Sequence, residues 1–255
     1  MNAPQSALSA VLITRNAASL IEPCLESLAF ADEIVVVDSG STDGTDEIAA
    51  RSGARVVRKE WLGFGRQKQF AVEQARNDWV LCLDADERVS AELAASIKAA
   101  LAAPVSPVYR MARRNRFLGR WLAHGEGYPD WITRLFHRRR ARWSDDPVHE
   151  HVIAQGPIGR LEGDLLHASA ESIERYIAKQ NRYTTLQADA LHARGKRSSA
   201  WKMAMAPMAR FFRFYVLKLG FLDGAAGFAH IAIGAFASFL KHAKLRALDR
   251  AARNG

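Results

Sequence analysis

Two aspartates separated by one residue, Asp84 and Asp86, close the stretch Trp79–Glu87, WVLCLDADE. A carboxylate pair at this spacing suits a hard divalent cation of the Mg²⁺ or Mn²⁺ kind, provided the chain turns there so that both side chains converge. Such a cation keeps room for the phosphates of a substrate. An isolated D-x-D is equally what a solvated acidic turn after a core strand looks like, so the surrounding elements must decide. Val80–Leu83 is too short an apolar run for a helix and reads as a buried parallel strand that delivers the pair to its carboxyl end. Open α/β sheets bind their ligands at that edge.

The elements before it repeat the pattern. Ser9–Thr14 (SAVLIT) predicts a strand and Ala17–Phe30 a helix, with Leu20, Ile21, Cys24, Leu25 and Leu28 at helical spacing. Glu33–Asp38 (EIVVVD) predicts a second strand that also stops on an acid. The turn SGSTDGT, residues 39–45, then leads into a helix over Asp46–Ser52 capped by Ser41, Thr42 or Asp43. Residues 54–61 predict a third strand, Gly63 and Gly65 a turn, Arg66–Arg76 a helix, and Ser90 the cap of a helix reaching about Ala102. Strand–helix alternation with short links specifies an α/β fold, a mostly parallel sheet flanked by helices. Right-handed crossovers gather the strand ends, so Thr14, Asp38 and Asp84 are expected in one crevice.

At 255 residues and 49% apolar composition the chain can build a substantial core. Its charge is divided: residues 1–100 hold 10 Lys/Arg against 15 Asp/Glu, net −5, and residues 101–255 hold 26 against 12, net +14. The basic half is expected to face something anionic, such as a membrane surface or a phosphorylated substrate. Nucleic acid ranks last as a partner, since there is no recognised module or repeated aromatic platform. Cys24 and Cys82 lack metal-ligand or disulfide spacing and are expected as reduced thiols of a cytoplasmic protein. The first ten residues show no basic start followed by an apolar segment, so no secretory signal is expected.

Past residue 104 the alternation ends. PVYRMARR over 107–114 is strand-like, and Gly125, Gly127 and Pro129 predict a mobile acceptor loop. ITRLFHRRRARW, residues 132–143, is a strand running into Arg138–Arg140 and Arg142, either a solvated face or a hold on a phosphorylated acceptor. DPVHEHV, residues 146–152, is the densest titratable cluster of this half, with Asp145 and Asp146 before Glu150 and with His149 and His151 flanking it. Glu171–Ala193 predicts an amphipathic helix, and the basic break Gly195–Ser199 suggests domains over 1–198 and 199–255. Trp201–Leu222 is apolar and aromatic with interleaved cations, and Gly224–Leu240 carries no charge over seventeen positions. An interfacial or re-entrant hairpin on an anionic membrane is expected there, against the alternative of a helical pair covering a core or a dimer partner.

The set TRN at 14–16, VVDSGSTDGT at 36–45 and LDADE at 83–87 resembles the nucleotide-sugar domain of family 2 glycosyltransferases, which have the GT-A fold. More narrowly, WLGFGRQKQFAVEQA at 61–75 and DPVHE at 146–150 resemble bacterial enzymes that add a glucose-type sugar to the lipopolysaccharide inner core. Nearly the whole chain is covered, and the motifs occur in order. The resemblance implies that Thr14, Arg15, Asn16, Asp38, Asp43, Gly65, Lys68 and Asp84 bind a UDP-sugar. It also implies that Asp86, with Asp84 and His167, holds Mg²⁺ or Mn²⁺, and that Glu150 is the catalytic base. Beside these stand ordinary roles: turn or cap aspartates at Asp38 and Asp43, surface cations at Arg15 and Lys68, and a structural histidine at His167. The implied activity is inverting transfer of a hexose, chiefly glucose, to a lipid-anchored glycan at the cytoplasmic face of the inner membrane. Alternatives are transfer to a polyprenyl phosphate, or a membrane-surface protein that keeps a nucleotide-sugar fold without catalysis.

Overall fold

The computed structural model describes residues 6–146, 150–168 and 172–254. The chain divides into two compact units, Met1–Arg114 with Asp130–Ala168, and Asn115–Pro129 with Ser169–Gly255. The expected 198/199 boundary falls inside the second unit.

In the first unit the strands β1 (Leu8–Thr14), β2 (Glu33–Asp38), β3 (Arg55–Arg58) and β4 (Trp79–Asp84) alternate with α1 (Ala18–Glu26), α2 (Thr45–Arg51) and α3 (Phe64–Gln74). They pair in parallel in the order β3-β2-β1-β4, with Thr14 beside Asp38 and Ile13 beside Asp84. All seven residues of β1 are buried, as a strand covered on both faces requires. Leu8, Ala10 and Leu12 pack on one side with Ile21, Leu25, Leu93 and Ile97, while Val11 and Ile13 pack on the other with Ala71, Val72 and Trp143. This alternation is the period-2 signature of the pleat.

Beyond β4 the sheet turns antiparallel. Its further strands are β5 (Glu87–Val89), β6 (Val108–Phe117), β7 (Arg120–Trp121), β8 (Asp130–His137) and β11 (Ile158–His167), and its path continues β4-β8-β6-β11-β5, with β7 paired to the end of β6. Only Ala85 and Asp86 separate β4 from β5, so this path curls until its last strand returns beside the end of β4. β9 (Ala141–Trp143) and β10 (Val152–Ala154) form a separate two-stranded ribbon. The helix α4 (Ala91–Ala102) covers β11; Ser90 Oγ caps it by accepting from Leu93 N at 3.1 Å.

The second unit holds α5 (Ile173–Ala193), α6 (Ala200–Phe212), a π-helical turn at Arg213–Leu217, a 3₁₀ turn at Gly220–Asp223 and α7 (Gly224–Asn254). α7 packs along both α5 and α6, and its start lies close to the 3₁₀ turn. A Cβ on Gly227 would stand 2.4 Å from the Gly220 carbonyl oxygen. Among the described residues Gly220–Ala252 is the one stretch long and apolar enough to cross a membrane. The 120–129 segment, expected as a mobile loop, is instead tied into this unit. Asp223 accepts from the Ala123 and His124 amides at 3.0 and 2.8 Å, Glu126 pairs with Arg210, and Gly125 N donates to Lys218 O at 2.9 Å. Its glycines serve close packing: a Cβ on Gly125 would meet Ile231 Cδ1 at 2.9 Å.

Gly163 shows how tightly α4 is laid on β11. Its φ is +84°, and a Cβ there would stand 2.3 Å from the Leu93 backbone nitrogen. Left-handed strain and a backbone collision add, so Gly163→Ala is expected to lower stability by roughly 2–4 kcal/mol, read as a fall in the urea midpoint at unchanged slope.

Candidate active site

The carboxyl ends of β1, β2 and β4 meet as the crossovers require, and the loops that follow them are stitched together. Asn16 takes a left-handed conformation (φ 52°), donates its amide to Ser41 Oγ at 2.9 Å and accepts from Thr42 N at 2.9 Å. Asp43 accepts from Ala18 N at 3.0 Å and from Thr45 N at 3.1 Å, so one carboxylate serves the starts of both α1 and α2. Hydrogen bonding from the Thr45 hydroxyl, then from the Ala18 amide, holds its carboxyl below the usual range. Asp38 is buried and accepts from Gly40 N at 3.0 Å, from Ser41 N at 2.9 Å and from the Ser41 hydroxyl. Its register partner Thr14 has a buried Oγ1 with no partner among the described residues. Arg15 points to solvent.

At the end of β4 the curled sheet encloses a chain of alternating charges. Lys68 Nζ stands 3.0 Å from Glu150 Oε1 and 3.3 Å from Asp84 Oδ1. Arg134 Nη2 reaches Asp84 Oδ2 at 2.6 Å and Glu87 Oε1 at 2.8 Å. Arg113 continues the series, 3.4 Å from Glu87 and 2.7 Å from Asp130. Lys68 and Arg134 are 6% and 4% exposed and Glu87 is fully buried, so each charge depends on its neighbours for compensation. Both cations also lie over the Trp143 ring, at 4.9 and 5.8 Å from its centroid. Burial alone would raise the Asp84 carboxyl; Arg134, and then Lys68, overcome it and hold that group well below the ordinary carboxylate range.

Asp86 occupies the two-residue link and faces a different partner. Its Oδ2 lies 3.1 Å from His167 Nε2 at the end of β11, and Ala168 N donates to its carbonyl at 2.9 Å. Asp84 is turned toward Lys68 and Arg134, and among the described residues no three acidic, histidine or cysteine side chains converge to hold a metal. A carboxylate and an imidazole side by side, both partly exposed, nevertheless fit a divalent ion whose other positions a substrate fills.

Gly65 lies in the first turn of α3, and a Cβ there would stand 2.2 Å from the Ser144 carbonyl oxygen and 3.5 Å from Glu150 Cβ. Its missing side chain lets α3 press on the segment that carries Glu150. Asp145 lies 3.9 Å from Arg66, and His151 stands 3.3 Å from Ser144 Oγ and 3.4 Å from Asp146. Pro147, Val148 and His149 lie outside the described residues. Two arginines of the basic run are engaged: Arg138 and Arg139 both pair with Asp78, at 3.3 and 3.0 Å. Cys24 and Cys82 are free and buried, and burial pushes the Cys82 thiol up to about 11.

Sequence reasoning passed over Arg134, Glu87 and Trp143. A signal existed, since Arg134 directly precedes Leu135 and Phe136, both fully buried, in the middle of a strand. A charge there has to be compensated internally.

Residues 9–156 match the family model described as glycosyl transferase family 2. The lipopolysaccharide core biosynthesis glycosyltransferase LpsC of Rhizobium meliloti is 35% identical over 250 residues, which cover 95% of this chain and 93% of that protein. An uncharacterized glycosyltransferase of Rickettsia bellii is 36% identical over 259 residues, covering 95% and 87%. Among solved structures, the Mycobacterium tuberculosis glucosyl-3-phosphoglycerate synthase aligns at 26% identity over 44% of each chain, with a TM-score of 0.37. A family model over more than half the chain, and 35% identity to LpsC over 95% of the chain, make this chain a member of glycosyl transferase family 2, an enzyme similar to a lipopolysaccharide core biosynthesis glycosyltransferase.

Proposed function

We propose that this enzyme is an inverting, divalent-metal-dependent hexosyltransferase that moves glucose from a UDP-sugar to a hydroxyl of a lipid-anchored lipopolysaccharide core. The observation that carries this reading is the Lys68 bridge, which joins Glu150 to Asp84 at the sheet edge where nucleotides bind in α/β folds. The orphan Thr14 hydroxyl beside Asp38 supports a ligand there, since a buried unmade hydrogen bond costs about 1–3 kcal/mol. Arg15, Asn16, Asp38 and Asp43 form the uridine side of that pocket. Gly65, Lys68 and Asp84 form its sugar-diphosphate side.

Glu150 accepts the proton of the acceptor hydroxyl as the oxygen attacks the anomeric carbon. The new C–O bond forms while the bond to the diphosphate breaks, the leaving oxygen keeps the electron pair, and a single displacement inverts the anomeric centre. Lys68 fixes Glu150 through Oε1 and leaves Oε2 without a partner among the described residues. Asp86 and His167 would hold Mg²⁺ or Mn²⁺, whose chemistry is to neutralise the charge that collects on a departing diphosphate. Arg134 keeps Asp84 ionised and aimed. A protein working at the cytoplasmic face of the inner membrane meets both a soluble nucleotide sugar and a lipid-borne acceptor. The net charge of +14 over residues 101–255 suits the anionic surface found there.

Calorimetry with UDP tests the donor site: binding is expected with Mn²⁺ or Mg²⁺, is lost with chelator, and is lost in Asp86→Ala and His167→Ala. Metal-independent UDP binding that survives both substitutions would remove the metal from the reaction. Glu150→Gln is expected to lower kcat by about 10²–10⁴-fold while UDP affinity stays within about twofold, measured as transfer from UDP-glucose to delipidated core oligosaccharide. A kcat within a few-fold of wild type would assign the base elsewhere.

A further inference from the structure

α6 is the one α-helix of the described residues with no buried side chain, yet it is strongly apolar. Trp201 is 71% exposed, Met208 63% and Phe212 55%, with Met205 also exposed between them. Steps of four, three and four residues set these side chains in one stripe along the helix. It continues beyond the helix through exposed Val216, Leu217, Leu219, Phe221 and Leu222. Leu219 lies in the left-handed region at φ 56°, a conformation that costs an L-residue with a Cβ, and its side chain stays half in water.

Lys202, Arg213 and Lys218 are interleaved with the apolar positions, and residues 199–255 carry nine Lys/Arg against two Asp/Glu. A second copy laid on this face would set like charges together. An anionic bilayer accepts both the apolar stripe and the cations. α7, which holds the longest apolar stretch, differs: Phe228 and Phe236 are exposed, but Ala226, Ile231, Ala235, Ala237 and Leu245 are buried, and Lys244 Nζ is fastened to α5 at Asn181, Thr184 and Thr185.

We propose that α6 and the turn through Leu222 form an in-plane docking element for an anionic lipid leaflet, and that α7 does not cross the bilayer but stays packed on α5 and α6. Trp201, Met208 and Phe212 enter the acyl boundary while Lys202, Arg213 and Lys218 meet the phosphate headgroups. This deepens, and rests on, the reading of a membrane-borne acceptor.

The experiment is sedimentation of the full chain with vesicles of phosphatidylethanolamine and phosphatidylglycerol, and with phosphatidylcholine alone. Wild type is expected to bind the anionic vesicles. The triple variant Trp201→Ser, Met208→Ser, Phe212→Ser is expected to bind them at least about tenfold more weakly, with UDP binding by calorimetry unchanged as the check on folding. A spin label at Met208→Cys, selective because Cys24 and Cys82 are buried, is expected to move into lipid while one at Ala247→Cys, an exposed position of α7, stays in water. Undiminished vesicle binding by the triple variant, or a Met208 label that stays in water, overturns the proposal. So does a wild-type dimer that ignores vesicles and dissociates in the triple variant, which assigns the face to a second copy. Vesicle binding without any UDP binding by wild type would instead sink the transferase reading and leave the docking element standing.

Discussion

The first unit is built around a line of charges that cannot be taken apart singly. Glu150, Lys68, Asp84, Arg134, Glu87, Arg113 and Asp130 alternate in sign, and Lys68, Arg134 and Glu87 are shielded from water. A buried ion whose partner is deleted is left without compensation, typically at a cost of about 3–5 kcal/mol. The line therefore constrains several strands at once. It requires the antiparallel half of the sheet to curl back to β4, because Arg113, Asp130 and Arg134 come from β6 and β8 while Glu87 opens β5. The same constraint separates the two aspartates of the link: Asp84 is absorbed into the line, and Asp86 is left at its edge beside His167.

The parallel half of this fold was legible because apolar runs of four to seven residues, each ended by a turn, admit few other arrangements. Strands one, two and four, the Ser90 cap and the meeting of Thr14, Asp38 and Asp84 follow from local rules. The antiparallel half was not legible to the same degree. Its strands carry many arginines, and the pattern along one strand does not say which acid across the sheet will meet each of them. Arg134 could be noticed as a misfit in an apolar run, but its partners come from residues about fifty positions earlier.

The glycines tell a similar story. Gly125 and Gly127 belong to a stretch whose sequence predicts a mobile loop. In three dimensions Gly125 makes room for Gly220 and Ile231, and Gly227 for the Gly220 carbonyl. A missing side chain has two uses, conformational freedom and close approach, and sequence does not distinguish them. Gly65 belongs to the second kind, and through it the register of α3 is transmitted to the backbone beside Glu150. Arg138 and Arg139, distant in sequence from Asp78, likewise both pair with it.

The stitched loops after β1 and β2 have a consequence for the thermodynamics of ligand capture. Asn16, Ser41, Thr42, Asp43 and Thr45 already hold one another by backbone and side-chain hydrogen bonds. Ordering a loop on binding consumes part of the interaction free energy, about 0.5–1.5 kcal/mol for each immobilised side chain. A pocket wall that is rigid beforehand avoids that loss. On the proposed reading, a nucleotide sugar entering beside Thr14 and Asp38 would meet a surface whose shape is set in advance, so selectivity there would be decided by fit to a fixed contour rather than by the molecule's ability to organise the protein around itself.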